Sequence, residues 1–137
     1  MFESSIITLL AADSALIADL STYEGSPSIF TLNAPRAPDF NYIVIDVRSS
    51  GSEDSVIETF EVMTHVFGYA ASSLTVSRIV RRLILLLHKK HLTHEYYELI
   101  RFYLDSCWPV RVDDVKAQHY VVNFSTRATN LALGGNM

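Results

Sequence analysis

The chain has 137 residues, of which 49% are hydrophobic and 19% charged, with a formal net charge of −4. That length suits one domain with its own core, and the composition excludes disorder over most of the chain. The mildly acidic balance supplies no global field for nucleic acid, and a single cysteine, Cys107, excludes an internal disulfide or a cysteine pair for zinc or redox work.

The opening MFESSIITLLAADS carries Glu3 and no basic run before its apolar stretch, so no secretory signal is expected. Residues 4–20 read as helix, with Ser4 or Ser5 as the cap and Ile6, Leu9, Leu10, Leu16, Ile17 and Leu20 at roughly helical spacing. Asp13 and Ser14 interrupt the pattern and allow two short helices, the second capped by Asp13. STYEGSPSIFTLNAPRAPDFN, 21–41, holds three of the four prolines and reads as loop with a brief extended piece at 29–32.

From Tyr42 the pattern turns to β. YIVIDVR (42–48) is a strand, SSGSED (49–54) a polar turn, and SVIETFEVMTHVFG (55–68) a longer strand with Val56, Phe60, Val62 and Val66 inward and Thr59, Glu61 and His65 outward. These two make an antiparallel hairpin. AASS follows, with Ser72 or Ser73 as the cap of a helix.

In that helix, advancing about 100° per residue gathers Val76, Ile79, Val80, Leu83, Ile84, Leu86 and Leu87 within an arc of roughly 160°, a core face. Arg78, Arg81, Arg82, His88 and Lys89 fall opposite, with Leu74 and Leu85 among them. The longest aliphatic run, Leu83 to Leu87, is far short of the roughly 20 residues that span a bilayer. No aromatics interleave the arginines for base stacking, so the basic stripe reads as solvated or partner-facing.

His88, His91 and His94 are spaced by three, but each step drifts about 60° around a helix, so three imidazoles cannot converge on one ion. They read as cations and loop residues at a helix end, with no metal ligands and no cofactor expected. YYELIRFYLDSCWPV (96–110) and QHYVVNFSTR (118–127) alternate as two further antiparallel strands joined by the charged turn RVDDVKAQ. Cys107 is expected as a buried, inert thiol. There is no G-x-S-x-G elbow or P-loop, and Glu58 and Glu61 lie on opposite strand faces, so catalysis is not expected.

The elements therefore predict an α+β fold: a four-stranded antiparallel sheet with two main helices packed on one face. One domain spans 1–129, and 130–137, with two consecutive glycines, is expected as a flexible tail.

Several stretches together resemble a known family, the tail terminator or tail completion proteins of long-tailed bacteriophages. These are the first helix leading through LNAPRAPDFNYIVID into a strand, THVFGYAASSLTVSRIVRRLILLL, and the closing QHYVVNFSTR. The resemblance implies a non-enzymatic virion protein that forms a homo-oligomeric ring, typically a hexamer. Such a ring caps the completed tail tube and stops its polymerisation. Its implied partners are the major tail tube protein and the head-side connector or head-completion protein, with DNA passing through the lumen unread and no membrane involved. Its implied location is the head-proximal end of the tail, after assembly in the host cytoplasm.

Exposure and charge nominate three contact regions: Arg78, Arg81, Arg82 and Leu85 on the helix; Ser50, Glu53 and Asp54 in the first turn; Arg111, Asp113 and Asp114 in the second. Two alternatives are a different neck component on the head side, such as a head-completion protein, and a small metal- or ligand-binding α+β domain using the histidines.

Overall fold

A computed structural model describes residues 2–31, 34–35, 39–52, 57–69, 71, 73–111 and 116–130. Helices α1 (Glu3–Ala11) and α2 (Ser14–Asp19) are followed by short strands β1 (Thr22–Tyr23), β2 (Ser26–Pro27) and β3 (Ile29–Thr31). The long strands β4 (Tyr42–Ser52) and β5 (Ile57–Tyr69) lead to α3 (Ser73–Leu87), then β6 (His91–His94), β7 (Tyr97–Val110) and β8 (Ala117–Asn130).

The expected four-stranded antiparallel sheet with two helices does not form. Among the described residues the main sheet has six strands in the order β3–β4–β5–β8–β7–β6, and β1 and β2 make a separate two-stranded ladder. The main sheet is mixed, because β3 runs parallel to β4 through Ile29↔Ile43 and Thr31↔Ile45. Both added strands are short edge pieces: β3 is the extended piece expected at 29–32, and β6 comes from the segment expected as a helix end. They form because a neighbouring strand offers unpaired backbone groups, a non-local cause.

The break allowed at Asp13 is present. Its carboxylate accepts the Leu16 N–H at 2.9 Å and caps α2. The cap expected from Ser4 or Ser5 is not, since α1 starts after Phe2 with no side-chain cap. α3 ends where Lys89 takes a left-handed φ of 63°, the usual way a helix stops. The Lys89 N–H then donates to the Phe102 carbonyl at 2.6 Å, and the Phe102 N–H to the Lys90 carbonyl at 3.2 Å. Those bonds tie the helix end to β7 and place His91 and His94 on a strand rather than at a loop or helix end.

One core lies between the helices and one face of the sheet. α3 contributes Val76, Ile79, Leu83 and Leu87, and α1 contributes Ile6 and Leu10; all are fully buried against Ile43, Ile45, Phe60, Val62, Val66, Phe102, Val122 and Phe124. Each such side chain contributes about 1.5–3 kcal/mol on burial. Phe2 sits edge-on to Phe60, Tyr97 and Phe102, with centroids 5.0, 5.6 and 6.2 Å away. Buried hydroxyls are satisfied by backbone, Thr64 Oγ1 donating to the Val122 carbonyl at 2.9 Å and Thr126 Oγ1 to that of Arg101. At Gly68 α3 comes so close that a methyl group would collide with Val76 Cγ2 and Asn41 Oδ1.

Along β5, Phe60, Val62, Thr64 and Val66 are buried while Thr59, Glu61, Met63 and His65 are only partly so, which matches the expected alternation. Val56 and Ser72 lie outside the described residues. So does the expected tail except Asn130, which still belongs to β8, and β8 also takes in Ala128 and Thr129. Among the described residues no helix is long and apolar enough to cross a membrane.

Candidate interaction surfaces

The arginines of α3 divide by their register on the helix. Arg78 donates from Nη2 to Asp19 Oδ1 at 3.0 Å and from Nε to Asp19 Oδ2 at 3.2 Å. Arg82 donates from Nη2 to Asp13 Oδ1 at 2.7 Å and from Nε to Asp13 Oδ2 at 2.8 Å. These forked pairs hold α2 along α3. The Arg82 guanidinium keeps the Asp13 carboxyl below the usual carboxylate range, assisted by the Leu16 N–H and opposed by burial.

Arg81 is exposed and has no carboxylate partner among the described residues. It shares the outer flank of α3 with Leu74 and Leu85, which are 77% and 65% exposed. Beside them a largely apolar groove of about 310 Å³ runs between α3 and β8, lined by Ser77, Val80, Arg81, Ile84, Leu85 and Tyr120.

Among the described residues the opposite sheet face carries no helix. The register sets Tyr42, Phe67 and His119 in one cross-strand row and Val44, His65, Val121 and Trp108 in the next. Tyr42 stacks on Phe67 with centroids 4.7 Å apart, and Phe67 on His119 at 4.1 Å. His65 Nδ1 and His119 Nε2 are 3.0 Å apart, one neutral ring donating to the other. Burial, then the neighbouring His65, push His119 down to about 4, and burial also lowers His65. With Asp46 and Arg48, themselves paired at 2.7 Å, Tyr42, Val44, His65, Phe67 and His119 line a depression of about 460 Å³.

The third row centres on Asn123, which is 5% exposed. Its Nδ2 donates to Glu61 Oε1 at 2.9 Å and to Asp105 Oδ2 at 3.4 Å, while its Oδ1 has no partner among the described residues. Asp105 occupies a β-bulge between Leu104 and Ser106. Trp108 and Tyr103, 37% and 42% exposed, stand one row to either side through their partners Val121 and Ser125.

Of the residues nominated from sequence, Arg78 and Arg82 are engaged within the chain, while Arg81, Leu85 and Arg111 are exposed. Ser50 is exposed on β4, its hydroxyl donating to Thr59 Oγ1 at 3.1 Å. Glu53, Asp54, Asp113 and Asp114 lie outside the described residues. Cys107 is exposed rather than buried, because the helices do not cover that end of β7.

The three histidines of the 88–94 segment do not converge. His88 Nδ1 accepts the Leu104 N–H at 2.9 Å and His94 Nδ1 the Tyr96 N–H at 3.3 Å. Among the described residues no group of three or more His, Cys, Asp or Glu side chains can hold a metal ion. Sequence reasoning missed the His65–His119 pair and the Glu61–Asn123–Asp105 cluster. The outward positions of His65 and Glu61 were readable, but their partners on β7 and β8 were not.

No family model matches the chain, and no curated protein does. Among solved structures it is similar to a chain from the virion of a native gene transfer agent (GTA) particle, with a TM-score of 0.76 and 17% sequence identity. That likeness covers 93% of this chain and 94% of the other, so the two share a fold from end to end.

Proposed function

We propose that this chain is a non-enzymatic structural protein of a phage-like particle, working as a homo-oligomeric ring at the head-proximal end of the tail. The observation that carries this reading is the end-to-end fold likeness to a chain of a gene transfer agent virion. The resemblance of its sequence stretches to tail terminator proteins narrows it to the cap of the tail tube. In that role a ring, a hexamer as the resemblance implies, stops tube polymerisation and presents its other side to the head-side connector, while DNA crosses the lumen without being read. A ring suits the fold physically: a heterologous contact that closes on itself uses two different surfaces of each copy and leaves no open end.

The test is loss of the gene product during particle assembly, with tails imaged by negative stain. Tails of uncontrolled length that fail to join heads support the terminator role. Tails of normal length that join heads without this protein overturn it. Association with tailless heads instead of headless tails would reassign it to a head-completion role in the same neck.

A further inference from the structure

We infer that neighbouring copies of this chain join through Arg81 of one copy and the Glu61–Asn123–Asp105 cluster of the next, in which Glu61 and Asn123 are diagonal neighbours on adjacent strands. The inference rests on the ring reading above and names the surfaces that make the ring.

Charge complementarity carries it. Among the described residues Arg81 is the α3 arginine that no carboxylate holds, since Asp19 takes Arg78 and Asp13 takes Arg82. On the bare sheet face, Glu61 and Asp105 are bridged by the neutral Asn123 amide rather than by a cation. Two carboxylates therefore meet at one neutral amide with no ion-pair partner among the described residues, and a guanidinium is the planar, multi-donor cation that would satisfy them.

The apolar surroundings match in order. Along α3, Arg81 lies between Leu74 and Leu85, on the order of 10 and 6 Å away at 1.5 Å per residue. On the sheet, the Asn123 row lies between Trp108 and Tyr103, two residues to either side along β8, or about 7 Å each way. Leucine, arginine, leucine thus faces aromatic, acid, aromatic. Exposed leucines and aromatics around a desolvated ion pair form the common anatomy of a protein contact.

Placement favours a head-to-tail contact. α3 packs on the covered face of the sheet, so its outer flank and the bare face look away from each other on opposite sides of the protomer. A two-fold dimer needs one self-complementary patch, whereas a ring needs two different ones.

The test uses the full chain and its mass distribution in solution, read by light scattering and negative stain, with thermal melts to confirm folding. Arg81→Glu and Asp105→Arg, both at exposed positions, are each expected to weaken self-association about 30-fold or more while still giving the cooperative melt of a folded chain. A 1:1 mixture of the two variants, and the double variant, should restore assembly, because each contact regains opposite charges. Leu85→Asp should weaken assembly without rescue by Asp105→Arg. Rings that persist in all three single variants, or a charge swap that fails to restore them, overturn this contact and leave the ring reading standing. A wild-type chain that stays monomeric both alone and on isolated tail ends overturns the ring reading and this contact with it.

Discussion

On one side of the six-stranded sheet Phe60, Val62, Val66, Phe102, Val122 and Phe124 meet the helices with almost no exposed surface. On the other side the same strands present His65, Phe67, His119, Glu61, Asn123 and Trp108, in rows that are polar, half-buried and open. Strand geometry makes this division, since alternate residues of β5 and β8 must point to opposite faces. Stability therefore concentrates on the covered face, where shape and volume decide, while on the bare face charge and hydrogen-bond partners decide.

The comparison is broken most severely from the covered face. Phe60→Ala removes a ring packed edge-on against Phe2 and Tyr97, at 5.0 and 5.4 Å. It is expected to cost about 3–5 kcal/mol in a denaturant titration. A loss under 1 kcal/mol would mean that the core does not lie there. A middle-sized effect is expected where the helix layer is tied together. Asp13→Ala removes both the α2 cap and the Arg82 partner, and loss of the cap alone costs about 0.5–2 kcal/mol.

The smallest effect belongs to the bare face and depends on pH. His119 titrates near 4 in the folded chain against 6.5 when unfolded. The unfolded chain therefore takes up the proton first as pH falls. The stability contributed by the neutral ring is complete above pH 6.5 and declines as pH drops from 6.5 towards 4. Comparing melts at pH 7 and pH 5, His119→Gln should show a smaller fall in Tm than the wild type. An equal fall in both would remove His119 as the source.

Much of this architecture was legible locally. The apolar spacing of α3 and the alternation of β5 each state, within one segment, which residues face a core, because helix and strand periods are properties of adjacent residues. Asp13 as a cap was legible for the same reason. The extended piece at 29–32 was legible as such and forms β3, but its parallel pairing with β4 and the whole of β6 were not, since both depend on a strand lying beside them. Nor was the fate of the basic stripe. Arg78 and Arg82 read as exposed like Arg81, yet their carboxylates come from 59 and 69 residues away.

By itself, then, the amino-acid sequence determined the central helix and its buried stripe, the long strands, and the side of the sheet on which the residues of β5 stand. Only the tertiary structure decided which residue stands opposite which. His65 meets His119 across 54 residues and Glu61 meets Asn123 across 62, because strand order and register bring them together. Periodicity encodes direction within an element. Partnership depends on how the elements are laid side by side, and it was that layout that left Arg81 as the α3 arginine without a carboxylate partner among the described residues.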